Sequence, residues 1–242
     1  MDGQIIETKT DAGVVTSHLF GAGAKTGVIL YMDAFGPRPA LFDMATRIAD
    51  WGHAVLVPDL FYRMRPYGPF DAKTAFGDEG ARGQLFGLMG GTTQAQTMAD
   101  GAAFLSVLTG AGVTGGVATV GYCMGGARAI NAAATYPDRI VAAASFHGGN
   151  LASDRPDSPH LKAAALRAQV YVGCAGVDGS FPPDQSALLA QALREAEVDH
   201  VLECYKGMVH GWTVPDSAAY DRAGSERHFK RLAALLGEAL RV

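Results

Sequence analysis

A thiol held between glycines, in Gly121-Tyr122-Cys123-Met124-Gly125-Gly126, is the strongest chemical signal in the chain. The preceding run Gly116-Val117-Ala118-Thr119-Val120 is short, apolar and partly β-branched, which predicts a buried strand. The alanine-rich stretch 127–136 predicts a helix. Strand, G-x-C-x-G and helix together make the pattern of a nucleophile elbow, with cysteine where serine is usual. In such a turn the backbone of the nucleophile is strained, and a Cβ at Gly121 or Gly125 would strike the neighbouring strand or helix. The helix N-terminus behind the sulfur favours thiolate over thiol. The plain alternative is a buried cysteine in an ordinary glycine-rich turn.

A nucleophile at an elbow needs a base, and the base needs an orienting acid. In the α/β-hydrolase arrangement they follow in the order nucleophile, acid, histidine. After Cys123 come His147, His160, His200, His210 and His228. His200 begins a predicted strand and His228 lies in a predicted helix, both places for structural residues. His210, in Gly207-Met208-Val209-His210-Gly211-Trp212, falls past the carboxyl end of the last strand, where open α/β sheets bind ligands. It is the candidate base. Asp178, in Gly176-Val177-Asp178-Gly179, follows the preceding strand and is the candidate acid. Asp184 is the runner-up, but it follows Pro182-Pro183 in a helix's first turn, where the helix dipole already accounts for an acid. The oxyanion hole is expected from two backbone N–H groups, of Met124 and of Ala34. His147-Gly148-Gly149 looks like the start of a lipase oxyanion motif, but it comes after the elbow, so it reads as a strand-end turn, with His147 lining the pocket as the alternative.

Alternating strands and helices must position these groups. Segments 4–8 and 13–20 read as an edge hairpin, and 27–32 and 53–58 as buried strands. A helix is expected over 39–51, capped by Gly52. Strands follow at 140–146, 169–174 and 200–205, with helices at 93–108, 183–196 and 221–240. This predicts an α/β fold, mostly parallel, with helices on both faces of the sheet. Between 59 and 91 the periodicity fails. This aromatic, Gly- and Pro-rich segment after the strand ending near Pro58 reads as a lid over about 60–91.

The length of 242 residues suits a single α/β domain over 1–242. A net charge of -4 argues against a nucleic-acid partner. No apolar run approaches the roughly 18 residues of a membrane span. The opening Met1-Asp2-Gly3-Gln4 lacks the basic and apolar regions of a signal peptide, and the cysteines Cys123, Cys174 and Cys204 form no C-x-x-C pair. Neither a metal site nor a disulfide framework is expected, and reduced thiols suit a cytoplasmic protein.

The chain resembles the dienelactone hydrolase family over nearly its whole length. The resemblance is carried by Asp33-Ala34-Phe35-Gly36, Pro58-Asp59-Leu60-Phe61-Tyr62-Arg63, the G-Y-C-x-G-G elbow, the aspartate loop and the histidine loop. It implies an α/β-hydrolase fold, no metal or organic cofactor, and a Cys123, Asp178, His210 triad, the assignment already reached from order and position. It also implies a thiol-positioning role at Asp33, where better-known members carry glutamate. Enzymes that cleave dienelactone place an arginine shortly after the histidine, whereas here Gly211-Trp212-Thr213-Val214 follows. The expected preference is therefore for a neutral or more apolar ester or lactone. Candidate substrate contacts are Phe35, Tyr62, Arg63, Arg82 and Trp212, with Arg65 a further lid cation. The expected activity is cysteine-dependent hydrolysis of a small ester or lactone, like that of a carboxymethylenebutenolidase, through a thioester acyl-enzyme. Alternatives are hydrolysis of another activated acyl group such as a thioester, or a silent scaffold that binds a small molecule or partner. The expected partner is a small-molecule substrate, with the chain a monomer or small homo-oligomer.

Overall fold

A computed structural model describes residues 3–241; Met1 and Asp2, on which the reading of the N-terminus partly rests, lie outside them. One eight-stranded sheet organises the chain, in the order β1-β2-β4-β3-β5-β6-β7-β8. Strands β1 (Gln4–Thr10) and β2 (Gly13–Phe20) form the expected antiparallel hairpin, with β1 at the edge and half-exposed. Strand β2 runs antiparallel to β4 (His53–Pro58). The remaining strands are parallel: β3 (Thr26–Tyr31), β5 (Val117–Tyr122), β6 (Ile140–Phe146), β7 (Gln169–Val177) and β8 (His200–Val209). Every residue of β3, β4 and β5 is buried, as strands covered on both faces must be. This is the α/β-hydrolase fold.

The chain goes from β3 to one neighbour, β4, then returns to the other, β5. The reversal opens a crevice at the carboxyl ends of β3 and β5, the usual place for a ligand in an open sheet. Helix α1 (Pro39–Ala49) starts with proline at its first turn, where a missing N–H costs nothing. It ends earlier than expected: the cap is Asp50, and Gly52 takes its positive φ of 96° in the turn beyond. Helix α2 spans Glu79–Gly91, and α3 (Gln94–Gly110) opens with a capping box of Thr93 and Gln96. Helix α4 is Met124–Thr135, α5 is Pro183–Glu195 and α6 is Arg222–Ala239, whose cap Asp221 accepts from Gly224 N–H at 2.7 Å. Helices α3 and α4 meet through Tyr136 Oη, which donates to Met98 O at 2.5 Å. Helices α1 and α6 meet through Arg47 and Glu226 at 2.7 Å.

The segment expected to lack regular structure contains α2 and a 3-10 turn at Tyr62–Met64. Five of the thirteen residues of α2 are glycine and its buried residues are Leu85 and Leu88, so no apolar stripe announces it. Its start is fixed by Asp78, whose carboxylate accepts from Ala81 N–H at 2.7 Å. Strands β7 and β8 run several residues beyond the expected 174 and 205, so Asp178 and His210 follow them directly. No helix among the described residues is long and apolar enough to cross a membrane.

Candidate active site

Cys123 caps α4 at φ 54° and ψ -121°, a conformation L-residues rarely adopt. The surrounding packing enforces it. A Cβ on Gly121 would lie 2.0 Å from Gly125 O, and one on Gly125 would lie 2.4 Å from Tyr31 O. The Cys123 N–H is shared between Phe146 O at 3.2 Å and His147 Nδ1 at 3.1 Å. Its thiol is left partly exposed at the switch point.

At the end of β8, His210 Nδ1 lies 2.7 Å from Asp178 Oδ2 at the end of β7. The other carboxylate oxygen of Asp178 accepts from Ser180 N–H at 2.9 Å and Ser180 Oγ–H at 2.6 Å. Burial pushes the Asp178 carboxyl upward, but the hydrogen bonds from His210 and Ser180 outweigh it and hold it below the usual range. Burial likewise pushes His210 down, but hydrogen bonds to Asp178 and Cys123, and the charges on both, raise it to about 10. The structure thus brings Asp178, His210 and Cys123 into one chain of side-chain contacts. Asp184 lies in the first turn of α5, outside that chain.

This arrangement ties stability to pH. His210 has a folded pKa above the 6.5 of an unfolded histidine, so its contribution is fully present below about pH 6.5 and is lost as pH rises through about 10. Urea denaturation from pH 7 to 11 should show wild type losing more stability than Asp178→Asn. Parallel losses in the two proteins would rule out the linkage.

Of the expected oxyanion donors, Met124 opens α4 directly after Cys123, and buried Ala34 follows β3. The Asp33 carboxylate, expected to position the thiol, is bonded to Arg38. Its Oδ1 and Oδ2 accept from Arg38 Nη1 and Nη2 at 2.7 and 2.9 Å, and Oδ1 also accepts from Phe35 N–H at 3.0 Å. Arg38 also holds Asp216, in the histidine loop, through Nε and Nη2 at 2.7 and 2.9 Å. One planar guanidinium thereby clips the loop after β3 to the loop carrying His210. Arg38 and Asp216 are 178 residues apart, and no local pattern pairs them.

A cavity of about 300 Å3 opens beside Cys123 and His210. Phe35, Phe76 and Lys73 line it, with the two phenyl rings 5.4 Å apart edge to face. Of the candidate contacts, only Phe35 lies there. Tyr62 is buried against Thr10 Oγ1 at 2.8 Å and Asp100 Oδ1 at 3.1 Å. Arg63 grips Asp100 bidentately at 2.8 and 2.9 Å, so both residues anchor the segment after β4 to α3. Arg65 pairs with Asp59, and Arg82 is solvent-exposed on α2. Trp212 is wholly buried behind the site, its ring 4.8 Å from Tyr205 and 5.1 Å from His147. Long apolar or forked side chains beside a site look the same in sequence whether they face it or brace it. Lys73, overlooked in favour of the arginines, is exposed at the cavity wall.

His147 does more than end a strand. Because Cys123 N–H donates to its Nδ1, the ring proton sits on Nε2, which donates to Thr213 Oγ1 at 2.8 Å. Burial first, and then the charge of His210, keeps it neutral by pushing its pKa well down. It joins the elbow to the histidine loop and stands 5.0 Å from the His210 ring. His147→Phe should cost about 1–3 kcal/mol of stability through the lost hydrogen bonds and lower kcat more than it changes KM. Unchanged stability and kcat would show the ring to be a spacer.

The sequence profile of the dienelactone hydrolase family matches residues 15–240. A Salmonella typhi protein named "Putative carboxymethylenebutenolidase" is 27% identical over 218 residues, covering 87% of this chain and 76% of that protein. The carboxymethylenebutenolidase of Pseudomonas sp. strain P51 is 31% identical over 112 residues, 44% of each chain. The crystal structure of P91, a dienelactone hydrolase-like promiscuous phosphotriesterase from metagenomic libraries, superposes with a TM-score of 0.79. It covers 99% of this chain and 98% of its own at 24% identity, a likeness of fold.

Proposed function

Because the chain belongs to the dienelactone hydrolase family, we propose that it cleaves a small ester or lactone with Cys123 as nucleophile, through a thioester acyl-enzyme. The observation that carries this reading is the continuous contact from Asp178 through His210 to Cys123 at a strained elbow. The relatives named carboxymethylenebutenolidase support a lactone or ester as the substrate class.

With a pKa near 10, His210 is an imidazolium at neutral pH, able to face a thiolate before substrate arrives. The sulfur attacks the carbonyl carbon, and the oxyanion that forms is met by the N–H groups of Met124 and Ala34. As the intermediate collapses to the thioester, the imidazolium gives its Nε2 proton to the departing alkoxide. The now neutral ring takes a proton from water, and the hydroxide attacks the thioester. The second intermediate expels the thiolate, which again faces the imidazolium, and the acid is released. Asp178 holds the Nδ1–H throughout and stabilises the charged ring. Segment 60–91 acts as a lid, with Lys73 and Phe76 closing the cavity. No cofactor enters these steps.

The test is a hydrolysis screen over small lactones and aryl esters, with quenched samples examined by mass spectrometry. The expected result is turnover and an acyl adduct on the peptide carrying Cys123. Turnover with the adduct on another residue would remove Cys123 as nucleophile. Absence of any turnover would favour a silent scaffold.

A further inference from the structure

A second cavity, of about 360 Å3, lies next to the elbow. Met124 lines it, one residue past Cys123, which lines the first. Its wall includes Arg128 of α4, 5% exposed. The guanidinium donates from Nη1 to Met124 O at 2.8 Å, from Nη2 to Thr92 O at 2.5 Å and from Nε to Thr97 Oγ1 at 3.3 Å. None of these acceptors is an acid. A guanidinium has five N–H groups, so one on each terminal nitrogen remains. Arg38 and Arg63, also poorly exposed, each grip carboxylates bidentately. Arg128 alone among these three has no acid partner. Burial lowers its pKa to about 10, so it is still charged at neutral pH.

Burying a charge without an acid in contact is costly, and an anionic ligand group would relieve that cost. The end of α2, whose cap is Thr92, offers Arg128 a carbonyl dipole but no full negative charge. Asp157 also lines the cavity, yet Arg155 holds it at 3.1 Å, and that hydrogen bond keeps its carboxyl below the usual range. On the same wall, Gln94 Oε1 is buried without a partner. The cavity therefore presents a guanidinium with no acid bonded to it, supported only at longer range by the charges of Cys123 and Asp157.

We propose that this second cavity is a subsite for an anionic oxygen group, in which Arg128 receives a carboxylate or phosphate carried on the ligand away from the reacting carbonyl. The placement of that carbonyl rests on the reading of Cys123 and Met124 given above; anion binding at Arg128 does not. The cation missing from the histidine loop is thus found on the helix behind the nucleophile. On this proposal the preferred substrate carries an anionic group, the opposite of the neutral substrate expected from the histidine loop.

The test begins with binding to Cys123→Ala protein, where no turnover interferes. Glutarate, inorganic phosphate and the uncharged isostere glutaramide are titrated calorimetrically. At least one anion should bind at least tenfold more tightly than glutaramide; phosphate alone would assign a phosphoryl group, and glutarate alone a carboxylate. Arg128→Gln should weaken anion binding about tenfold to a hundredfold, and Arg128→Lys should restore only part of it. Should these variants fail to fold, Gly90→Leu adds a bulky side chain at the cavity lining with Arg128 intact, and a Cβ at Gly90 meets nothing within 4 Å. It should abolish the preference for anions. A second arm compares kcat/KM for the 4-nitrophenyl hemiester of glutaric acid with that for 4-nitrophenyl valerate, and the anionic-to-neutral ratio should fall at least tenfold in Arg128→Gln. Anion binding without any turnover would support the subsite while counting against the chemistry at Cys123. Equal binding of glutarate, phosphate and glutaramide, or anion binding that survives both Arg128→Gln and Gly90→Leu, overturns the proposal.

Discussion

Cys123→Ala is expected to lower kcat/KM for the best ester or lactone by roughly 10^4-fold or more, with the fold retained. The sulfur is the only group at the crevice that forms a covalent bond in the proposed reaction. What survives its loss is substrate binding and the two backbone donors. Cys123→Ser should recover little: a serine hydroxyl stays protonated where a thiol ionises, and the loss of the sulfur removes the hydrogen bond and charge by which Cys123 helps raise His210. The same site should show stored strain. At φ 54° and ψ -121° glycine is at ease and cysteine is not, so Cys123→Gly should be inactive yet more stable than wild type by about 1 kcal/mol. Activity of Cys123→Ala at the wild-type rate would move the nucleophile elsewhere.

The legibility of this site followed the range of the signals. Order along the chain picked out Cys123, Asp178 and His210, the three side chains that the structure joins, because each follows a strand whose apolar run is plain. The bounds of β6 were equally plain in Ile140–Phe146. Helix α2 was hidden because glycines replace the apolar stripe that would have betrayed it. Its visible signal was the acid Asp78 ahead of Glu79, a cap without an obvious helix. The bracing of the site was the least legible part. Arg38 joining Asp33 to Asp216, and Arg63 held by Asp100, are bonds across loops and layers that no spacing rule reaches. His147 carries a weak signal in sequence: a histidine after a buried strand beside the elbow strand brings its ring near the nucleophile. Trp212 is the converse case, since proximity in sequence to His210 does not bring its buried ring to the cavity.

Asp178→Asn should reduce kcat/KM by up to about 10^4-fold, whereas Asp184→Asn should leave it near wild type. All three hydrogen bonds received by Asp178 come from donors: His210 Nδ1, Ser180 N and Ser180 Oγ. An asparagine there must turn its amide nitrogen toward one of them. If it faces His210, the ring is driven to the tautomer with its proton on Nε2 and loses Nδ1–H, and the imidazolium loses the charge that sustains it. The pKa of His210 then falls, because burial is no longer opposed by the carboxylate. Fewer molecules hold the charged ring at neutral pH, and the loss should be mostly in kcat, because the aromatic cavity of Phe35 and Phe76 is untouched. Asp184 has a different task. It sits in the first turn of α5, where a negative charge complements the helix dipole by about 0.3–1 kcal/mol, so its neutral variant should show only that small loss of stability. The measurement is kcat and KM for both purified variants, with folding checked by circular dichroism. Equal effects, or a larger loss in Asp184→Asn, would assign the orienting acid to Asp184 and leave the bond between Asp178 and His210 a structural one.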